Sequence, residues 1–344
     1  MRQVHTLVKD LLAPNPWIYY LDLVVSLAIG HTAFFFFSRA TFGSAQQILS
    51  FATAAFAFYR VTVFTHEIAH FANRRLHGFK WFWNALVGVP FLVPSFLYAE
   101  HRIHHLKHTY GTPSDSEYLP LGLGTGLDVL RYFAQTLLVP VLGLLRFVVL
   151  APISWLVPAL RRPLWERSTA IVAINWHYRR AISDDPAERR EAQWLEIACF
   201  LYGSTFLTLI AVGVLPWQVL PQFYAVFLFV SVINYLRTLA AHRYLSDGRE
   251  SSYLEQLLDS YTIPGHPLAT ELWAPMGMRY HALHHLVPSL PYHNMGRAHR
   301  RLMRELPAGS PYRRTIRSGL WTTVAEVLRS IRSNPPHSAA ASMS

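Results

Sequence analysis

Cys199 is the one cysteine in 344 residues, so no disulfide can close within the chain, and neither a cysteine-held zinc nor an iron–sulfur cluster can be assembled from it. Charge is scarce too. Asp, Glu, Lys and Arg make up 15% of the residues against 52% hydrophobic, a balance that argues against a soluble domain and for a membrane protein. No period of roughly 20 to 50 residues recurs, which excludes a repeat array. A secretory signal is also missing, because Lys9 and Asp10 precede the first apolar run and no small-residue cleavage site follows it. Acidic residues are outnumbered, giving a net charge of +11. The basic residues collect in connections between apolar runs and after Arg297, which is the distribution of cytoplasmic loops, so no nucleic-acid partner is expected.

What is present is apolar sequence in long runs. Residues 17–37, 47–64, 195–215 and 219–236 are each long enough to cross roughly 30 Å of hydrocarbon, although Asp22 and His31 interrupt the first. Residues 81–98 contain Gly88, Pro90 and Pro94, and residues 137–160 contain Pro140, Arg146, Pro152 and Pro158. Both runs are therefore read as re-entrant or interfacial. Arg74, Arg75, Arg161, Arg162, Arg179, Arg180, Arg189 and Arg190 fall in connections that the positive-inside rule makes cytoplasmic. The expected architecture is all-α, with four transmembrane helices, a cytoplasmic helical cap and both termini cytoplasmic. Residues 1–16 form an N-terminal segment, 17–300 the membrane domain and 301–344 a tail with a possible amphipathic helix at 320–331 and a disordered end from Ser333.

Histidine is the other surplus, with 18 copies. The pattern His-x-x-His-His occurs twice, at His101, His104 and His105 and at His281, His284 and His285, where chance would supply about 0.05 copies. His66 and His70 add a pair at helical spacing. Residues three and four apart share a helix face, so each cluster aims its imidazoles one way, and eight such ligands are too many for one ion. Four crossings bring all the clusters to the same membrane face. Asp115 and Glu117 follow the second cluster and are candidates to hold histidine Nδ1 atoms, against the alternative of a solvated acidic turn at 112–117. His108, seven residues after His101, is a further candidate. His31 is read as a structural hydrogen-bonding group, and His5 and His337 as solvent-exposed.

His66-Glu67-Ile68-Ala69-His70, then His101-Arg102-Ile103-His104-His105 with an Asp-x-Glu turn, then His281-Ala282-Leu283-His284-His285 with Pro288 and His293, resemble the three histidine boxes of membrane fatty-acid desaturases. The likeness runs from about the second span to about Arg300. It implies two non-haem irons held almost wholly by histidines, with dioxygen as co-substrate and His242, after the fourth span, as a further ligand. Some members carry an asparagine four residues before that histidine; here the position is Thr238, and Asn234 is a poor substitute. The implied reaction is introduction of a double bond into a lipid acyl chain, in a membrane lipid or an acyl thioester. A hydroxylase or ketolase acting on an apolar lipid is the near alternative, since the difference lies in sub-ångström placement. Attack on an unactivated C–H bond needs metal-activated oxygen rather than acid–base or nucleophilic side chains. No haem or iron–sulfur module is read in the chain, so electrons are expected from a separate ferredoxin or cytochrome, drawn by a basic cap.

Two rivals follow from the same residues. His66-Glu67-Ile68-Ala69-His70 satisfies the zinc-protease motif His-Glu-x-x-His, but that reading leaves six clustered histidines unexplained. A metal transporter should carry ionisable ligands within its spans, where Asp22 and His31 are the candidates.

Overall fold

The computed structural model describes residues 2–71, 76–169 and 174–333. Arg74, Arg75, His337 and the tail after Ser333 lie outside the described residues. Among those described, the chain is helical without a strand; two isolated bridges, His242 with Ser260 and Thr262 with Ile316, tie loops together.

Five helical stretches are long and apolar enough to cross a membrane: α1 (Pro16–Arg39), α2 (Ala45–Ala69), α3 (Val139–Leu156), α4 (Pro186–Ala211) and α5 (Val219–Leu239). The starts are written in the sequence. Asn15 accepts from the Trp17 N–H ahead of Pro16, Ser44 accepts from the Gln47 N–H, and Asp185 accepts from the Ala187 N–H ahead of Pro186. α1 and α2 form an antiparallel hairpin in close contact. Gly30 permits it, because a Cβ there would stand 2.6 Å from the Phe58 ring. Asp22 does not leave a bare charge in α1, since Arg60 on α2 donates to both its carboxylate oxygens at 2.7 and 2.6 Å. His31 Nδ1–H donates to the Leu27 carbonyl, 2.9 Å away, a structural role as expected.

α3 covers the run that its prolines and arginine had marked as broken. The helix persists because Pro140 and Pro152 each fall in the first turn of a helical segment, where a missing N–H costs little, and a π-helical stretch, Leu145–Leu150, absorbs the mismatch between them. Arg146 is neutralised by Glu196 on α4 at 2.6 Å; Trp155 Nε1 donates to the same carboxylate at 2.9 Å and Arg161 reaches it as well. Residues 81–98, by contrast, fold back. A helix over His77–Trp83 passes into a π turn at Asn84–Gly88, and Asn84 then pairs with Ser95 through two hydrogen bonds of 2.9 Å.

The remainder packs at the end of the bundle where α2 and α5 terminate. Helix Tyr292–Glu305 docks the N-terminal segment, with Asn294 Nδ2 donating to the Leu11 carbonyl at 2.7 Å and Arg301 to the Leu7 carbonyl at 2.8 Å. A last helix runs over Leu320–Ser333, where the amphipathic pattern placed one.

Candidate metal centre

Three separate pieces of chain deliver the histidine boxes. His66 lies in the final turn of α2 and His70 caps it, the His70 N–H bonding back to the Glu67 carbonyl. A short helix, His101–His104, presents the second box with His105 as its cap. Helix His281–Leu286 presents the third, entered through Gly277 at φ +74°, a left-handed conformation that a side chain would strain and for which Met295 leaves no room. His242 arrives just past α5, held by its bridge to Ser260.

These pieces converge into two groups of four imidazoles. His66, His70, His101 and His284 have ligand atoms all within 4.8 Å of one another, and so do His104, His242, His281 and His285. His105 stands between them: its Nε2 is 3.2 Å from that of His101 and 3.1 Å from that of His284, and its ring centroid lies 4.4 Å from that of His285. All nine expected histidines are therefore brought together. His108 is not. The helix carrying the box ends at His104, so the seven-residue spacing from His101 no longer means a shared face, and His108 is exposed on the turn beyond.

The acidic residues take the outer nitrogens. His104 Nδ1 is 2.9 Å from both oxygens of Asp115, and His101 Nδ1 is 2.6 Å from Glu117. Asp115 is fully buried and also accepts from the backbone N–H groups of Gly111, Glu117 and Tyr118, so its orientation is set before it meets His104. The solvated-turn alternative does not describe it. Sequence reasoning missed the partners of His242: Tyr110 OH at 2.8 Å and Ser260 Oγ at 3.1 Å from its Nδ1, with Asp259 accepting from both Tyr110 and Tyr118. Tyrosines carry no spacing rule, and their contacts here cross 132 residues of sequence.

Burial pushes His101, His105, His242, His281, His284 and His285 well below the ordinary imidazole range, and neighbouring imidazoles add to it. His70 is pushed down to about 3 by the same burial. Burial acts on His104 in the same sense, but the Asp115 carboxylate outweighs it and raises the pKa. The Glu117 carboxyl is pushed up to about 7 by burial. A dry pocket of imidazoles, held neutral apart from His104, with their nitrogens turned inward is a donor set for cations. Nε2 of His66 and of His70 has no hydrogen-bond partner, which is costly for a buried polar atom unless a metal takes the lone pair.

This chain matches the model of the family described as "Fatty acid desaturase" over residues 42–316. The chain belongs to that family. It is also 39% identical over 334 residues to a ceramide hydroxylase of Caulobacter vibrioides (strain NA1000 / CB15N), an alignment covering 96% of this chain and 93% of the relative. No solved structure matches it. As a desaturase-family member it is a membrane oxidoreductase of the histidine-box type.

Glu67, inside the first box, is held by hydrogen bonds to other helices. Its carboxylate accepts from the Tyr19 hydroxyl at 2.6 Å and from the Tyr292 N–H at 3.3 Å, tying α2 to α1 and to the helix after the third box.

Proposed function

We propose that this protein is an oxygen-dependent lipid oxidase whose two irons are held by His66, His70, His101 and His284 and by His104, His242, His281 and His285, with His105 between the two groups. The observation carrying the reading is the pair of four-histidine groups, each tight enough to share one ion. Iron, when bound, supplies the activation of dioxygen that no side chain can. Asp115 and Glu117 then fix the Nδ1–H tautomers of His104 and His101, leaving Nε2 as the ligand atom, and Tyr110 and Ser260 orient His242.

The reaction we favour is hydroxylation of a ceramide-like lipid, as the name of the 39%-identical relative suggests. One C–H bond, one dioxygen, two electrons and two protons become one C–OH and one water. Desaturation is a second reading, supported by the family itself. It consumes the same oxygen and electrons, removes hydrogen from two adjacent carbons and releases two waters. The electrons come from an external ferredoxin or cytochrome, for which the exposed Arg297, Arg300 and Arg304 on helix Tyr292–Glu305 make a basic approach.

Topology follows from convergence. α3, α4 and α5 all lie between His105 and His242, and because those histidines meet, an even number of the three crosses the bilayer. We take α4 and α5 as the crossing hairpin and α3 as lying within one leaflet, which gives four spans and a cap on the cytoplasmic face. Expression in a host supplied with ceramide under ¹⁸O₂, with His104→Ala as control, tests the chemistry by mass spectrometry of the lipids. A product 18 mass units heavier carries oxygen from dioxygen, a product 2 units lighter is an alkene, and an unchanged lipid profile refutes the proposal.

A further inference from the structure

Beside the second histidine group is a small cavity lined by Arg237, Ala240, Tyr261, Trp273, Arg279 and His281, among others. Its volume is about 10 Å³, room for roughly one oxygen atom with its hydrogens. Arg237 closes it from the last turn of α5. This arginine is 8% exposed and its Nε has no hydrogen-bond partner. One Nη donates to Asn234 Oδ1 at 3.1 Å, the Tyr59 hydroxyl is a second hydrogen-bonding neighbour, and Glu117 acts on the guanidinium through space without forming an ion pair with it among the described residues. The acid in this part of the cap is committed elsewhere, Glu117 to His101 and Asp115 to His104. Arg279, on the opposite wall, also has an unpartnered Nε, while one of its Nη atoms reaches the carbonyls of Pro264 and Pro267.

A buried guanidinium whose one acidic neighbour, Glu117, acts only through space is expensive, and one lacking a partner for its Nε donor more so. Arginine only donates, so what completes it must accept: a hydroxyl or carbonyl oxygen. Asn234, Tyr59 and Glu117 account for part of the guanidinium, and its Nε is left over. A salt bridge would explain its burial, and none is present; a leucine or methionine would fill the end of α5 without the cost. The cavity also touches His281, so an oxygen seated there is next to the metal centre itself.

We propose that Arg237 receives a headgroup oxygen of the lipid substrate in this cavity and thereby sets which carbon reaches the histidines. The inference rests on the lipid-oxidation reading and adds a geometric consequence to it. An oxygen anchored against His281 brings carbons a few bonds away to the metal centre, so oxidation falls near the headgroup and not at the far end of the chain. Arg237 contacts the substrate as a specificity-determining group, and Trp273 in the same wall packs against the lipid next to it.

The test uses the purified full-length chain in lipid nanodiscs and reads the ligand-induced shift in Tm for ceramide, 1-deoxyceramide and an alkane of equal length. Wild-type protein should be stabilised more by ceramide than by the alkane. Loss of the difference with 1-deoxyceramide identifies the C1 hydroxyl as the anchored oxygen, and its persistence assigns the anchor to the C3 hydroxyl or the amide carbonyl. Arg237→Gln should abolish the preference, raise KM for ceramide at least tenfold with a smaller change in kcat, and scatter the position of the new functional group along the chain. If that variant does not fold, Arg237→Lys and Ala240→Val, which narrows the cavity from another wall, serve in its place; both should weaken the preference. Equal stabilisation of wild type by all three lipids overturns the proposal. So does a variant that loses kcat on every lipid alike with its preference and product position intact, which would mark Arg237 as an electrostatic influence on the metals. A wild type that binds ceramide preferentially but oxidises no lipid would refute the reaction and leave the anchoring role standing.

Discussion

The Nε2 atoms of His242 and His281 lie 2.8 Å apart, although 39 residues separate them in sequence. In metal-free protein one of these nitrogens must carry the proton that the other accepts. A shared metal ion requires both lone pairs, so loading it displaces that proton. At pH 7 both rings are neutral, so that proton moves to Nδ1 of the same ring, and the metal content by plasma mass spectrometry should be two ions per chain. His242→Ala should reduce the content toward one. A content of one in the wild type refutes the paired arrangement.

In the proposed centre, Asp115 acts on the metal through His104. Asp115→Asn keeps the shape but replaces a charged acceptor, and it should lower metal affinity about 10- to 100-fold, the usual loss for a residue that orients a ligand. Competition with a chromophoric chelator measures this. Unchanged affinity would mean that Asp115 serves the turn through Gly111, Glu117 and Tyr118 and nothing else.

Glu67→Gln separates the oxidase from the protease that the His-Glu-x-x-His motif suggested. A glutamine can still accept from the Tyr19 hydroxyl and the Tyr292 N–H, so lipid oxidation should fall by less than about tenfold. In a zinc protease the same change removes the general base. Loss of oxidation beyond about a thousandfold, with metal retained, would restore a catalytic part for Glu67.

His299 provides a pH test away from the metal centre. Burial, with Arg300 and Arg279 nearby, pushes its pKa down to about 4, and its Nδ1 meets the Tyr312 hydroxyl at 2.7 Å. The unfolded chain takes up this proton near 6.5 and the folded protein only near 4. The stabilising contribution is thus complete above about 6.5 and disappears as pH falls toward 4, by about 1–3 kcal/mol. His299→Asn should shrink the drop in Tm between pH 7.5 and pH 5. An identical drop in both proteins contradicts the assignment.

Within the apolar helices, Glu196→Gln should be among the most damaging single changes outside the metal centre. It leaves the buried guanidinium of Arg146 without its counter-charge, at a cost of about 3–5 kcal/mol. The monodisperse fraction after detergent extraction should collapse. Replacing Arg146 by Met at the same time should recover much of it, and failure to recover would place the damage in the ion pair that Arg161 loses instead.

Local chemistry made some of this protein legible from its residues. His-x-x-His-His states its own geometry, since a helix turn converts spacing into direction. Asn15, Ser44 and Asp185 announce helices by the same short-range logic. α3 was not legible, because the cost of Arg146 in an apolar run is decided by Glu196, 50 residues away. His108 shows the converse error: helical spacing was extended past a helix that stops at His104. Tyr110, Ser260 and Asp259 were invisible for want of any periodic signal.

By itself, then, the sequence determined that this chain lies in a membrane, that no disulfide closes within it, and that histidines in helical register offer more nitrogen donors than one metal ion can use. Only the tertiary structure decided which histidines stand close enough to hold one ion, mixing boxes so that His284 joins His66 and His104 joins His281. The physical reason is that register along one helix fixes where a side chain points, while the distance between two helices depends on every residue packed between them.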